Sequence, residues 1–333
     1  MRALRLHKPG TLNGISWDEL PKPSPGDYDV LVKIRSTSIN YRDYAFIMGR
    51  YPLTRPVPVI LGSDASGTVE KIGSKVSRFA PGDNVISLLR QRWYGGNFNS
   101  YKASLQLGAT ADGVFSEFYC FNELSLVKAP QSLSYEEAST LPTAGLTAYR
   151  ILTQAGINPG DTVVIQGTGG VSLFALQLSK YFGFQTIATT GNKNNESLLR
   201  HLGAGAVINY KEKPDWHKEV LAITQGAGAD LILDVVGGTS VQKSVEAAAV
   251  NGQVALVGFL EDTTSTIDLV SVIRRNINLK AYTTGSAEDL EQFVKFMNTT
   301  TMKPVIAGVY SDYPTAFNVF SAQRTPGKII VNL

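Results

Sequence analysis

A glycine-rich turn, Gly167-Thr168-Gly169-Gly170-Val171-Ser172, stands between an apolar strand, Thr162-Val163-Val164-Ile165, and a helix predicted over 171–182. That setting, more than the glycines themselves, limits what the chain can become. The first glycine permits a tight turn. The second lets the backbone approach a pyrophosphate, and the helix start offers unsatisfied N–H groups and the positive end of its dipole. The turn therefore reads as a dinucleotide-binding fingerprint. Its third glycine is replaced by Ser172, a residue small enough for the close helix–strand packing that this position serves.

The surrounding texture agrees. Strands are predicted at 162–165, 186–189, 206–208, 231–234 and 253–257, and helices at 171–182, 196–202, 216–224 and 241–249. Near-continuous apolar strands between helices indicate a parallel sheet covered on both faces. Just upstream, helical spacing runs from Tyr135 to Leu152, with Ser134 as N-cap and Glu137 three residues on. Residues 1 to about 125 differ: strands at 30–34, 67–72 and 84–88 are punctuated by turns such as Pro81-Gly82-Asp83. Residues 90–113 carry no period and read as a long loop. After 285 the pattern is helix (288–297), strand (304–308), helix (314–323), strand (328–331), too short for a domain and expected to complete the first one. The fold class is α/β: a Rossmann-type doubly wound parallel sheet over 126–284, and a β-rich domain from 1–125 with 285–333.

Composition excludes several function classes. The 333 residues hold 31 basic against 28 acidic side chains, a net charge of +3. With no basic run interleaved with aromatics, no nucleic-acid partner is expected. No stretch reaches the roughly 18 apolar residues of a membrane span, and Met1–Arg5 opens no signal-length apolar run. Cys120 is the single cysteine, so it forms no internal disulfide and builds no thiolate metal site by itself. A reducing, cytoplasmic location is the expectation.

The end of the second strand of the parallel sheet selects the dinucleotide. NAD sites place an acid about 20 residues past the glycines, on the ribose 2′-hydroxyl. Here the sequence is Thr189-Thr190-Gly191-Asn192-Lys193-Asn194-Asn195. Hydroxyls, amides and one lysine accept a 2′-phosphate that a carboxylate would repel, so NADP, as NADPH, is the expected cofactor.

Several further motifs occur in order: Ser38-Ile39-Asn40-Tyr41-Arg42-Asp43 with Gly49-Arg50-Tyr51-Pro52, Leu61-Gly62-Ser63-Asp64, Ala80-Pro81-Gly82-Asp83, Leu141-Pro142-Thr143-Ala144-Gly145, Leu202-Gly203-Ala204 and Gly327-Lys328-Ile329. With the glycine turn they resemble the medium-chain dehydrogenase/reductase superfamily over nearly the whole length, and within it the zinc-free, quinone-oxidoreductase-like branch that includes "zinc-type alcohol dehydrogenase-like" proteins. The resemblance implies a GroES-like catalytic domain and a homodimer through the Rossmann sheet edge, with an edge strand expected at Ser265–Leu269. It implies NADP contacts from Thr147, Thr168, Gly169, Gly170, Val171, Thr190, Tyr210, Gly258 and Phe259, with Arg324 near a phosphate and Asp234–Gly237 on the adenosine side. The family's 2′-phosphate lysine falls at Asn195, and Lys193 stands two positions earlier.

The resemblance also bears on metal. Where zinc-dependent relatives carry their first Cys, their His before an acid and their second Cys, this chain has Asn40, Ser63-Asp64 and Thr143. None supplies the thiolate or imidazole that catalytic zinc requires. His7, His201 and His217 lie outside these motifs, the last two expected on the surface. No metal is expected. Without a Lewis acid the substrate is expected to be a small molecule already electrophilic, a quinone or a C=C conjugated to a carbonyl, reduced by hydride from NADPH. A metal-free alcohol/carbonyl oxidoreductase and a non-catalytic NADPH-binding protein are the alternatives. Asn40 is the first candidate for positioning nicotinamide or substrate carbonyl, against the reading of a turn residue. Tyr51 is a candidate proton donor, against packing. Tyr41, Tyr44 and Trp93 form either an aromatic wall for a flat substrate or ordinary core, and Asp64 is expected to pair with Arg42 or another base.

Overall fold

The computed structural model describes residues 1–322 and 325–333, and every count below refers to these. Two compact units emerge: Met1–Leu146 with Thr284–Leu333, and Thr147–Thr283.

The second unit is built on six parallel strands in the spatial order Ala206–Asn209, Gln185–Thr190, Thr162–Gln166, Ala229–Asp234, Ala248–Leu256, Asn278–Ala281. Numbered within the unit, this is the order 3-2-1-4-5-6 of the doubly wound dinucleotide-binding sheet, which reverses direction beside the first strand. Side chains in register explain the core. Ile187, Val164, Ile232 and Val254 stand abreast on four adjacent strands and share one apolar cluster with Ile208, Trp216 and Val220. The helix Gly170–Phe182 ends at Gly183, whose φ of +77° is the left-handed cap that glycine adopts without penalty.

The first unit centres on the long strand Asp29–Ser38. It pairs antiparallel with Asp64–Ile72, with Phe118–Asn122 and, at its C-terminal end, with the chain's last strand, Lys328–Asn332. Val30, Val32 and Ile34 pack with Val69, Val85, Phe121 and Leu126 in one cluster. A second gathers Leu4, Leu6, Ile39, Phe46 and Phe115 around Phe317 and Tyr313, whose hydroxyl meets Thr37 Oγ1 at 2.7 Å. Burying a side chain of this size contributes about 1.5–3 kcal/mol. This packing fixes Lys328–Asn332 beside Asp29–Ser38, which matters for the site below.

Three expectations need correction, and a fourth is refined. Residues 126–146 belong to the first unit, not the second. The strand Leu126–Lys128 completes the first sheet, and Ser66 and Thr68 bond the backbone and hydroxyl of Tyr135. The helix expected over 135–152 is broken into Tyr135–Ala138, a π-turn at Leu141–Gly145, and Leu146–Gln154. Pro142 has no N–H to donate and disrupts a continuous helix at this point; the Ser134–Glu137 capping box forms as expected. Ser265–Leu269 is not an edge strand: the sheet ends on Asn278–Ala281, and Leu269–Arg275 is helical. The 90–113 loop is tethered, because the carbonyls of Trp93 and Tyr94 accept the N–H groups of Ala287 and Glu288 at the start of the helix Ala287–Asn298, groups that a helix start cannot satisfy internally.

Candidate active site

In the second unit the glycine turn follows the strand Thr162–Gln166 at the sheet's reversal point. Gly167 has φ +75°, a left-handed conformation. Gly169 is the N-cap of the 13-residue helix, and a Cβ built there would meet nothing within 4 Å. Open space above a helix start is what a pyrophosphate needs. Ser172, in place of the third glycine, is buried and donates to the Gln166 carbonyl at 2.7 Å, so it fastens helix to strand. Asp234, fully buried at the end of the neighbouring strand, accepts from the N–H groups of Val236 and Gly237, from Ser244 Oγ and from Gln166 Nε2. It is a satisfied clamp on the next turn.

At the end of Gln185–Thr190, the buried Thr190 Oγ1 accepts from Asn192 N at 3.2 Å and Asn195 Nδ2 at 3.4 Å. The Tyr210 ring lies over Gly191, where a Cβ would come within 2.5 Å of its hydroxyl. Lys193 is exposed in the single turn Lys193–Asn195. Thr190, Lys193, Asn195 and Tyr210 are thus brought together with no acid among them; Glu196, next in sequence, pairs with Arg200 at 2.9 Å. Thr168 and Val171 flank the glycines, Thr147 is buried at the unit's first residue, and Gly258 and Phe259 follow Ala248–Leu256. Arg324 lies outside the described residues.

The first unit carries a buried polar cluster assembled from four separate segments. Asn40 caps the helix Tyr41–Ile47, and its N–H donates to Asp43 Oδ2 at 2.9 Å. Its side-chain nitrogen donates to Ser63 Oγ at 3.1 Å and Asp64 Oδ2 at 2.8 Å, and its Oδ1 accepts from Lys328 Nζ at 2.5 Å. Both amide protons are therefore committed. Ser63 donates to Asp43, and Ser38 Oγ donates to Asp64 Oδ2 at 3.0 Å. Thr143 Oγ1, from the π-turn, donates to Asp64 Oδ1 at 2.5 Å. Lys328 Nζ also donates to the Ile39 carbonyl and lies 3.8 Å from Asp64 Oδ2.

Asp64 and Asp43 are fully buried and Lys328 is 4% exposed. Burial raises the Asp43 carboxyl to about 6, against the opposing pull of Arg42. Burial also pushes Lys328 down, while Asp64 and Asp43 hold it up. The expected pairing of Asp64 is thereby resolved: its base is Lys328, whereas Arg42 sits 3.6 Å from Asp43 and donates to the Leu107 carbonyl. Lys328 went unnoticed as a site residue. A lysine heading the buried run Ile329-Ile330-Val331 was the available signal, since charge in a buried strand requires a partner.

The other candidates separate. Tyr51 is 38% exposed with its ring 5.2 Å from Phe46. Tyr41 and Tyr44 lie 6.4 Å apart, and Tyr44 also packs on Phe320. Trp93 is no part of a substrate wall: it is 1% exposed, stacks on Phe98 and donates its Nε1 proton to the Gly96 carbonyl, holding its own loop together. His217 is buried rather than superficial, its Nε2 3.0 Å from Glu246. Burial and Asp29 push the Cys120 thiol up to about 11, away from the reactive thiolate. A cavity of about 610 Å³ in the first unit, lined by Asp83, Lys128, Tyr135 and Asn298 among others, shares no residue with the cluster.

The positions that could hold zinc do not fit it. Asn40, Ser63, Asp64 and Thr143 offer one carboxyl group and no thiol or imidazole, and they form a chain in which Asn40 bonds Ser63 and Asp64, and Thr143 bonds Asp64. No group of three or more His, Cys, Asp or Glu suited to a metal occurs among the described residues, and no helix among them is long and apolar enough to cross a membrane.

A 3-2-1-4-5-6 parallel sheet with a glycine turn at its reversal point is the architecture of a dinucleotide-binding domain, carried here on one chain with a β-rich unit. Comparison with known proteins makes this specific. Residues 170–299 match the family model described as zinc-binding dehydrogenase, and residues 26–131 match that of the alcohol dehydrogenase GroES-like domain. The chain is 33% identical to a zinc-type alcohol dehydrogenase-like protein of Schizosaccharomyces pombe, over 95% of this chain and 93% of that one. It is 26% identical to the acryloyl-coenzyme A reductase of Sulfurisphaera tokodaii, over 97% and 98%. It superposes on a quinone oxidoreductase of Pseudomonas syringae pv. tomato DC3000 with a TM-score of 0.84 at 25% identity, covering 100% of this chain and 99% of that one. The chain belongs to the medium-chain dehydrogenase/reductase superfamily, in its quinone-oxidoreductase-like branch.

Proposed function

We propose that this chain is an NADPH-dependent, metal-independent reductase of activated double bonds and quinones. One observation carries the reading: the place of a catalytic metal is taken by Asn40, Ser63, Asp64 and Thr143 with Lys328, a closed hydrogen-bonded set without a zinc ligand pair. A metal is one way to polarise a plain ketone for hydride transfer; an enone, enal or quinone is already electrophilic and suits a site without one. The acryloyl-coenzyme A reductase and quinone oxidoreductase relatives, by their names, act on such electrophiles.

Bound nicotinamide supplies the hydride. The chain binds and orients it. The turn Thr168-Gly169-Gly170-Val171 takes the pyrophosphate at the helix start, and Thr147, Gly258 and Phe259 line the rest of the cofactor path. Thr190, Lys193, Asn195 and Tyr210 take the 2′-phosphate, a set without the acid that a free 2′-hydroxyl would call for. Asn40, with both amide protons engaged, is a positioning residue that holds Asp64 and Ser63 in place.

Subunits pair as a homodimer through the helix Leu269–Arg275, which leaves Leu269, Val270 and Ile273 at 60–76% exposed beside the edge strand Asn278–Ala281. Apolar side chains grouped in this way mark an interaction surface. The cytoplasmic location expected from cysteine usage accompanies this reading. The test is oxidation of NADPH, and of NADH, against quinones, enones, enals, ketones and aldehydes, with and without a chelator. Chelator-resistant turnover of quinones or enones supports the proposal. Turnover restricted to plain ketones, or lost with chelator, overturns it.

A further inference from the structure

Besides the glycine turn, the carboxyl end of the parallel sheet carries a second built feature, which lies wholly within Thr147–Thr283. The strands Ala229–Asp234 and Ala248–Leu256 are parallel neighbours, paired up to Asp234 and Leu256. The two turns that follow them are fastened to each other. Asp234 forms the base of the join: its Oδ1 accepts from the N–H groups of Val236 and Gly237, and its carbonyl accepts from those of Val257 and Gly258 at 2.9 and 3.3 Å. The turns lie too close for side chains between them. A Cβ on Gly258 would collide with the Val235 carbonyl oxygen, and one on Gly237 would stand 2.6 Å from the Asp262 carbonyl oxygen.

Farther out, a side chain closes the join. The Glu261 N–H donates to the Val236 carbonyl at 2.8 Å, and the Glu261 carboxylate accepts from Thr239 N at 3.0 Å and from Thr239 Oγ1 at 3.1 Å. Thr239 is the N-cap of the helix Ser240–Ala247 and makes no side-chain cap bond of its own. The carboxylate of the opposite turn thus meets the positive end of that helix. Ser265 Oγ adds a bond to the Gly238 carbonyl at 2.6 Å. Glu261 and Thr239 are both exposed, so substitution there leaves the apolar core intact.

A dinucleotide spans the point where the strand order reverses, one mononucleotide on each half of the sheet. Thr190 and Lys193 follow a strand of one half and take the adenosine end in the reading above. The turn after Ala248–Leu256, in the other half, serves the nicotinamide end, and it contains Gly258 and Phe259. We infer that Glu261, clipped to Thr239, is a positioning residue for the nicotinamide end of the cofactor. The inference rests on the cofactor reading and deepens it. Glu261 acts through Gly258 and Phe259: the clip sets their turn before the cofactor arrives, so ordering it takes nothing from the binding free energy.

The test uses Glu261→Ala, Glu261→Gln and Thr239→Val in the full chain, with folding checked by thermal melts. Two ligands are titrated by fluorescence or calorimetry: NADPH, and adenosine 2′,5′-bisphosphate, which is the adenosine end alone. Glu261→Ala is expected to weaken NADPH about tenfold while the bisphosphate stays within about twofold. Glu261→Gln keeps an acceptor for Thr239 and should stay within about threefold for both ligands; Thr239→Val removes one of the two donors and should weaken NADPH by about threefold. A Glu261→Ala variant that binds NADPH as wild type does overturns the inference. So does one that loses both ligands by the same factor, which is the mark of general structural damage. Wild type that binds NADH as tightly as NADPH, with Glu261→Ala weakening both, supports the clip and removes the 2′-phosphate assignment instead. Wild type that binds neither dinucleotide overturns the cofactor reading and the clip with it.

Discussion

Replacing Lys328 by Met is the severest single test of the buried cluster. Lys328 is 4% exposed and donates to the Ile39 carbonyl and to Asn40 Oδ1, with Asp64 Oδ2 at 3.8 Å. Met fills most of the same volume, so little cavity term enters. What is lost is charge and two donated hydrogen bonds. Two buried acceptors are left unsatisfied, at about 1–3 kcal/mol each, and two fully buried carboxyl groups keep Arg42 as their remaining cationic neighbour. These costs overlap, because Asn40 can re-orient, and removing one partner of a buried pair costs about 3–5 kcal/mol in total. At about 2–4 °C per kcal/mol for a unit of this size, the melting temperature should fall by about 6–20 °C. Differential scanning calorimetry at neutral pH reads it. Adding Asp64→Asn to Lys328→Met removes the stranded charge and should recover a substantial part of the loss. A single variant that costs under about 1 kcal/mol, or a double variant no better than the single, would refute the pairing of Lys328 with Asp64.

Four further expectations follow from particular contacts. Gly169→Ala adds a Cβ that meets nothing in the protein alone, so thermal stability should hold while NADPH affinity falls at least tenfold; equal affinity in a titration would remove the turn from the cofactor site. Lys193→Glu places a carboxylate beside Thr190 and Asn195 and should weaken NADPH by tenfold or more, with NADH unaffected or improved; binding of both unchanged would show that Lys193 does not reach the phosphate. The Asp43 carboxyl, at about 6 in the folded chain against an ordinary 3.8, holds its proton longer when folded. Its stabilising contribution is complete below about pH 4 and lost as pH rises through 6. Urea melts should accordingly show wild type losing stability relative to Asp43→Asn across that window, and a gain there would reverse the sign of the assignment. Ile273→Asp, at a position 76% exposed, should halve the mass seen by sedimentation without lowering the melting temperature of the subunit; an unchanged mass would move the dimer contact elsewhere.

The parallel sheet was readable because its strands are apolar throughout and its turns carry their own chemistry, as at Ser134–Glu137 and Gly167–Ser172. Local pattern misled where composition and environment disagree. The edge strand that the resemblance implied at Ser265–Leu269 does not form, and Leu269–Arg275 is a helix whose apolar side chains Leu269, Val270 and Ile273 are uncovered within the subunit. Tyr135–Leu152 keeps helical spacing through Pro142, so nothing in the period announced the π-turn that presents Thr143. The glycine turn Gly167–Ser172 and the run Thr189–Asn195 are each contiguous, so each could be recognised as a motif in the sequence. The cluster was not, because Lys328 meets Asn40 across 288 residues. Only the pairing of Lys328–Asn332 with Asp29–Ser38 brings the two together.

The central claim is that a nicotinamide reductase of this superfamily works here without metal, on substrates that need none. It is met most directly by following the loss of reduced-nicotinamide absorbance with NADPH and a quinone or enone, using protein stripped of metal and shown by elemental analysis to hold no zinc. Full turnover in the stripped protein, faster with NADPH than with NADH, is the predicted result. Activity that vanishes on stripping and returns with zinc would contradict it.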